Sequence, residues 1–320
     1  MSTRTAGQGL TRARRGVAVG GSGPPPGRRK ARRPGARAWT LLAFAVPSLF
    51  LLLLINLYPV IYAGYQSLRD GSLISVGDFV GLENYQKVLT DPTFWAAARF
   101  TLVFTLVGVF GSWLVGLALA LLLKARIPAK GGFRVLLLLP WVVPVVVSAT
   151  SWNWLVATPQ SPLPILCQWL GLGNVLFLAN PILAKVTVCI FKVWISFPFM
   201  MVMMAAALES VDNNVYEAAK VDGASRWKEL THITLPMISR STYISWILMT
   251  IFCVNDFATI FLLTGGGPVN ATQTVVVLSY VTVFQNFQTG PGVAIAFLMT
   301  LVLTVVSVVL YRRIRKVQIL

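Results

Sequence analysis

Six apolar runs divide this chain of 320 residues, and they constrain its fold more than any other feature. The runs are approximately 39–68, 100–123, 133–156, 183–208, 241–264 and 293–311. A helix of about twenty apolar residues matches the hydrocarbon thickness of a bilayer, and it satisfies its own backbone groups there. A composition of 56% hydrophobic and 12% charged residues excludes a soluble domain. The sequence therefore predicts an all-α, polytopic membrane protein with six transmembrane helices.

The positions of the basic residues predict the orientation of these helices. Of the 27 Lys and Arg residues, 22 lie in the N-terminal tail, in 124–134, in 209–240 and in 312–316. If the chain crosses the membrane six times, these four segments are all on the same side of the membrane. Loops rich in Lys and Arg stay in the cytoplasm. We therefore expect both termini and residues 209–240 to be cytoplasmic. This separation of charge explains the net charge of +17 without a nucleic-acid partner.

Residues 1–37 carry ten Arg and Lys and no acidic residue, and a stretch rich in Gly and Pro lies in their middle. Such a composition cannot bury a core, so we expect a disordered, basic cytoplasmic tail. The apolar run that follows is too long for a signal peptide. A tail that binds nucleic acid remains a weaker alternative to a topological anchor. Residues 38–316 are then the membrane domain.

A polar segment, 209–240, lies between the fourth and fifth apolar runs. It contains five acidic and four basic residues, so it is close to neutral. That balance argues against a DNA-binding helix-turn-helix, which presents a basic face to phosphate. An ordinary solvated loop is one interpretation, and a segment that another protein grips is the other.

Local residue chemistry predicts two short helices in this segment. Asn214 and Glu217 have the spacing of a capping box. Gly223 can adopt the positive φ that ends a helix, and Ser225 can cap the next one. Pro236 disfavours a helical residue before it, so we expect the second helix to end at residue 235.

The same segment carries a family resemblance. Its pattern is Glu217-Ala218-Ala219, Asp222-Gly223-Ala224 and Ile233-Thr234-Leu235-Pro236. It resembles the EAA loop of permease subunits of binding-protein-dependent ABC importers. Residues 81–85 with 91–95, and residues 263–268 with 271–272, are similar to outer loops of the MalF-like carbohydrate permeases, the first of two paired permeases. The resemblance implies the type I importer permease fold, with cytoplasmic coupling helices between spans four and five.

The resemblance also implies the function and the partners. The chain would be the permease subunit that forms half of the pathway for a sugar or oligosaccharide, driven by ATP through alternating access in a bacterial cell membrane. Its partners would be a second homologous permease, an ATP-binding cassette ATPase dimer, an extracytoplasmic substrate-binding protein, the carbohydrate and membrane lipid. ATP and Mg would be bound by the ATPase subunits, and this chain would bind no cofactor. The residues expected to couple to the ATPase are Glu217, Ala218, Ala219, Asp222, Gly223 and Pro236.

Several kinds of catalytic motif are missing from the sequence. No phosphate-binding G-x-x-x-x-G-K-[ST] motif occurs, so we expect no ATPase activity in this chain. His232 has no metal spacing or partner carboxylate around it, and the three cysteines form no CxxC pair, so no metal site is predicted. An alternative function is a self-sufficient secondary transporter or channel for a small polar solute. A membrane enzyme is a weaker one, because no catalytic set is present.

Polar and aromatic residues of spans four and five predict a substrate pathway. From the helical rise, Ser196 and Phe252 lie roughly 17–18 Å from the cytoplasmic ends of their spans. The spacing of Met249, Phe252, Cys253 and Asp256 predicts one shared helix face. By resemblance, the sugar-contacting positions fall on Trp194, Ile195, Ser196, Phe199, Met249, Phe252, Cys253 and Asp256.

Two ionisable residues are expected deep in the membrane. Lys192 and Asp256 have similar predicted depths, and a lone charge in hydrocarbon is costly. We expect them to pair as a gate. The alternatives are that Lys192 extends to the interface and that Asp256 binds a sugar hydroxyl alone.

Overall fold

The computed structural model describes residues 34–75, 77–124 and 128–317, and these residues are almost entirely helical. The first α-helices are α1 (Pro34–Ser67), α2 (Glu83–Thr90), α3 (Pro92–Leu106), α4 (Ser112–Lys124), α5 (Lys130–Val142), α6 (Val145–Val156) and α7 (Pro162–Trp169). The others are α8 (Pro181–Glu209), α9 (Asn213–Val221), α10 (Arg226–Lys228), α11 (Leu235–Val254), α12 (Ala258–Thr264), α13 (Val275–Tyr280) and α14 (Thr289–Val317). Three π-helical segments, Val107–Gly111, Glu229–Thr234 and Val281–Gln285, directly follow α3, α10 and α13.

The chain divides into two compact units after Leu57, so the first part of α1 is described by itself. In the membrane-length part of α1, Ala43–Ser67, only the last side chain, Ser67, is buried. An apolar helix of this kind needs an apolar environment, which a bilayer provides. The predicted basic tail, 1–37, lies outside the described residues except for the first residues of α1.

Five helices in the described ranges are long and apolar enough to cross a membrane, or six if a bent pair counts as one span. The bent pair corrects the prediction of one continuous third span over 133–156. Helices α5 and α6 meet at 91°, and Val143 between them is extended. Pro144 explains the break, because a proline disfavours helical backbone in the residue before it.

The fifth span also differs from its prediction. One helical segment runs from Arg226 to Val254 and includes a π-helical turn, so the expectation that the second helix ends at residue 235 was wrong. Pro236 directly follows the π-helical turn Glu229–Thr234, which interrupts the regular α-helical hydrogen bonds where the proline N–H is missing. The span expected over 241–264 is instead broken after Val254, and α12 is a separate short helix.

Helix α8 packs against α4 at the centre of the second unit. Gly116 of α4 makes the approach possible, because a Cβ there would lie 2.7 Å from the backbone N of Met201. Met201 and Met204 are buried in the same cluster as Tyr216 of α9. The polar segment is therefore anchored to the core that α4 and α8 form.

Candidate functional site

The two ionisable residues of spans four and five form a buried ion pair. Lys192 Nζ of α8 donates to Asp256 Oδ2 at 2.6 Å, and the two side chains are only 7% and 10% exposed. Asp256 Oδ1 accepts a second hydrogen bond from the backbone N–H of Thr259 at 3.0 Å. Both carboxylate oxygens are thus engaged, and the ammonium does not extend to an interface.

Local backbone irregularity brings these groups together. Asp256 lies in the break between α11 and α12, where its carboxylate can reach the first turn of α12. Gly108, in the π-helical turn after α3, contacts the same region. A Cβ on Gly108 would lie 2.7 Å from Cys253 Sγ and 3.2 Å from Lys192 Cγ. Interruptions of this kind are frequent at functional sites. The absence of a side chain at Gly108 leaves space for the Lys192 stem.

An aromatic surface lies beside the ion pair on α5, α8 and α11. The rings of Phe199 and Phe252 have centroids 5.9 Å apart, and those of Trp141 and Phe199 are 6.0 Å apart. Phe252 is 54% exposed and Trp141 is 55% exposed, so this surface is open. Sequence reasoning missed Trp141, although its position between Pro140 and Pro144 marks a break that can present a ring.

The predicted pathway residues Trp194, Ile195 and Ser196 of α8 lie outside the open aromatic surface. Trp194 packs against Trp152 and Phe191, with ring centroids 5.4 and 5.9 Å away, and Ile195 packs against the same cluster. Ser196 is buried.

The face predicted for span five ends with α11 at Val254, so it includes Met249, Phe252 and Cys253 but not Asp256. Met249 and Cys253, one helical turn apart, are buried with Met200 and Val109, whereas Phe252 faces outward. Asp256 lies beyond the last residue of α11, so helical periodicity no longer applies to it. Phe199 and Phe252 therefore belong to the open aromatic surface, and Phe199 also packs against the buried cluster that contains Met249 and Cys253.

The polar segment begins and turns as its residue chemistry requires. Gly223 has φ +75° and ends α9, as predicted. Gly223 donates its N–H to the Lys220 carbonyl at 3.1 Å, and Ala224 donates to the Ala219 carbonyl at 2.9 Å. This is the Schellman arrangement that closes a helix. Ser225 Oγ accepts from the Lys228 N–H at 3.4 Å, which confirms the predicted cap of the next helix.

The capping box predicted for Asn214 and Glu217 is incorrect. Asp212 caps α9, and its carboxylate accepts from the Asn214 N–H at 2.9 Å. A carboxylate at this position also interacts favourably with the helix dipole. Glu217 is consequently exposed rather than folded back on the helix start.

Most of the residues predicted to couple are on the surface. Ala219 is buried, and the exposed members are Glu217, Ala218, Asp222, Gly223 and Pro236. Val221 and Trp227, which flank the turn and were not singled out from the sequence, are 88% and 71% exposed. Exposed large apolar side chains on both sides of a hydrogen-bonded turn are typical of a protein interface.

His232 is exposed, and its Nδ1 lies 2.8 Å from Thr231 Oγ1. Among the residues that the structure describes, no group of three His, Cys, Asp or Glu side chains is placed to hold a metal ion.

Comparisons with known proteins relate this geometry to a family. Residues 112–317 match the family described as "Binding-protein-dependent transport system inner membrane component". The chain is 34% identical over 270 residues to the "Trehalose/maltose transport system permease protein MalF" of Thermococcus litoralis, covering 84% of this chain and 91% of that protein.

A second relative and a solved structure extend the comparison. The chain is 34% identical over 280 residues to the "Trehalose transport system permease protein SugA" of Mycobacterium tuberculosis, covering 83% and 86% of the two chains. Its fold is similar to a chain of a bacterial ABC transporter described as involved in the import of the acidic polysaccharide alginate. That match has a TM-score of 0.77 at 21% identity, and it covers 88% of this chain and 96% of that one.

Proposed function

Because the chain belongs to the family of binding-protein-dependent transport system inner membrane components, we propose that it forms half of a translocation pathway for a carbohydrate, driven by ATP through alternating access. It is a multi-pass permease subunit of an ABC importer. The relatives named for trehalose and maltose support a sugar or oligosaccharide as the substrate.

The observation that supports this proposal best is the open aromatic surface of Trp141, Phe199 and Phe252. Sugar rings present C–H faces that pack on aromatic rings, and their hydroxyl groups need a few polar partners. Phe252 is 54% exposed and Trp141 is 55% exposed, so both rings are accessible to another molecule. A second, homologous permease would cover this surface and complete the pathway.

The ion pair behind this surface is proposed as a gate. Lys192 and Asp256 join α8 to the break between α11 and α12, so separating these helices requires that the pair be broken. The contact would be made in one state and lost in the other. A conformational change driven by partners needs such differential contacts. Each carboxylate oxygen of Asp256 already accepts a hydrogen bond from the protein in the observed state, which favours a gate over direct hydroxyl binding.

The exposed face of the polar segment is proposed as the contact with an ATP-binding cassette ATPase dimer. Glu217, Val221 and Trp227 surround a rigid Schellman turn, and Tyr216 on the other face is packed into the core of α4 and α8. A push on the exposed face would therefore reach the membrane helices directly. ATP and Mg would be bound by the ATPase, and an extracytoplasmic binding protein would deliver the sugar.

Reconstitution tests the proposal against the self-sufficient transporter. The chain is purified with its companion permease and ATPase subunits, and uptake of trehalose, maltose and longer oligosaccharides is measured with and without ATP. We expect uptake only with the whole complex, ATP and a binding protein. ATP-independent uptake by this chain alone would favour the secondary transporter or channel.

Alanine variants then test the aromatic surface. Loss of one aromatic contact worth about 1.4 kcal/mol lowers apparent substrate affinity about tenfold. We expect this effect for Phe252→Ala and Trp141→Ala. Trp154→Ala is the matched control, because Trp154 is an exposed tryptophan of α6 outside this surface. Equal losses of affinity in all three variants would contradict a role of the open aromatic surface in sugar binding.

A further inference from the structure

A basic cleft lies where the end of α4, the start of α5 and the end of α8 meet. The cavity has a volume of about 190 Å³. Three cations line it, Lys124, Lys130 and Arg134, together with one carboxylate, Glu209. The cleft is separate from the aromatic surface and the ion pair described above.

The positive charge of this cleft is not neutralised within the described part of the chain. In the described residues, no side-chain nitrogen of these three cations lies within 4.0 Å of a carboxylate oxygen. Lys130 and Arg134 are one turn apart on the same side of α5. Lys124 Nζ lies 4.1 Å from the ring centroid of Tyr216, a contact that positions the ammonium without cancelling its charge. Three cations against one carboxylate leave a net attraction for an anion.

The rest of the cleft wall is apolar. It is formed by Ala120, Leu123, Met201, Val202, Ala205 and Leu208. On either side of Arg134, α5 has exposed apolar side chains at Phe133, Val135 and Leu136. The cations are therefore at the boundary between a polar end and a hydrocarbon-facing helix. An occupant must combine an anionic group with an aliphatic chain.

We propose that this cleft binds one anionic phospholipid, with the phosphate at Lys124, Lys130 and Arg134 and an acyl chain along the apolar wall. Basic pockets between transmembrane helices are suited to such head groups, and the cytoplasmic leaflet supplies the negative charge. Glu209 repels additional negative charge, so a head group with a single negative charge, as in phosphatidylglycerol, suits this cleft. Binding at this cleft does not depend on the proposed transport function.

Native mass spectrometry of the purified full-length chain tests the proposal. The probes are phosphatidylglycerol and phosphatidylcholine with identical acyl chains. Each cation near an anionic lipid changes affinity about fivefold. We expect one tightly retained phosphatidylglycerol, weakened about fivefold in Lys130→Gln and in Arg134→Gln.

A charge change of opposite sign and a matched control make the test specific. Glu209→Gln removes the repulsive carboxylate, so it should strengthen phosphatidylglycerol binding. Lys220→Gln removes an exposed cation of α9 that does not line the cleft, so it should leave binding unchanged. Circular dichroism verifies that every variant retains the helical content of the parent.

Three results would overturn the proposal. Retention of phosphatidylcholine equal to that of phosphatidylglycerol would show that the cleft does not recognise the negative charge of the lipid. Displacement of the lipid by soluble glycerol 3-phosphate at equal concentration would assign the cleft to free phosphate compounds. A loss of binding in Lys220→Gln as large as in Lys130→Gln would show a diffuse surface attraction instead of a site.

Discussion

Neutralising one member of the Lys192–Asp256 pair should destabilise the protein more than neutralising both. Asp256→Asn leaves an ammonium that is 7% exposed without its counterion, while an amide oxygen can still accept from the Thr259 N–H. Lys192→Met leaves a carboxylate that is 10% exposed and keeps only that backbone hydrogen bond. The double variant Lys192→Met/Asp256→Asn contains no buried charge at this position.

The separation of the two charged groups sets the scale of the effect. At 2.6 Å and an effective dielectric constant of about 20, their attraction is about 6 kcal/mol. Desolvation of both groups offsets much of this attraction, and removal of one partner of a buried pair costs about 3–5 kcal/mol. We therefore expect each single variant to lose about 3 kcal/mol of unfolding free energy. The double variant should lose less than either single one.

Unfolding by denaturing detergent, followed through tryptophan fluorescence, measures these differences. The double-mutant cycle isolates the coupling energy between the two side chains. Single-variant losses that simply add in the double variant, within about 0.5 kcal/mol, would refute the reasoning.

The transport assay adds a test of the gate. Lys192→Asp and Asp256→Lys should each impair uptake, and the double exchange should restore only part of it, because a lysine at 256 cannot accept from Thr259. A double exchange no better than the worse single variant would argue against the gate.

Three further predictions concern coupling, packing and orientation. Gly223→Val should abolish uptake without affecting membrane insertion, because a β-branched residue disfavours φ +75°. Gly223→Asn should retain more uptake, because asparagine tolerates that backbone conformation. Normal uptake in both Gly223→Val and Glu217→Lys would contradict the proposed coupling role. Gly116→Leu should lower the yield of folded protein on size-exclusion chromatography, because its Cβ would lie 2.7 Å from Met201 N. Gly132→Ala should leave the yield unchanged, because no atom lies within 4 Å of the added Cβ. Equal yields of the two variants would contradict the close approach of α4 and α8. Cysteines introduced over 212–230 should react only from the cytoplasm and those over 265–272 only from outside, as measured with an impermeant maleimide; one inverted result in 212–230 would reverse the orientation.

Within the polar segment, short-range rules succeeded where only neighbouring residues matter. Gly223 and Ser225 act on backbone groups within five residues, and both behave as predicted. The cap of α9 was misassigned to Asn214 because Asp212 competes for the same helix start. Pro236 was expected to end a helix, but the π-helical turn directly before it interrupts the regular α-helical hydrogen bonds at that point, and the helical segment continues.

The amino-acid sequence by itself determined the class of this protein, because runs of apolar residues and missing charges are properties of composition along the chain. It also determined the turn at Gly223 and the cap at Ser225, because both depend on neighbouring residues. Tertiary structure alone decided how the third run folds into two helices at 91° and therefore where Trp141 lies. It also decided that Lys192 contacts Asp256, since 64 residues separate them and only packing around Gly108 and the α11 break brings them to 2.6 Å. Contacts of that range depend on how helices pack, which no local pattern encodes.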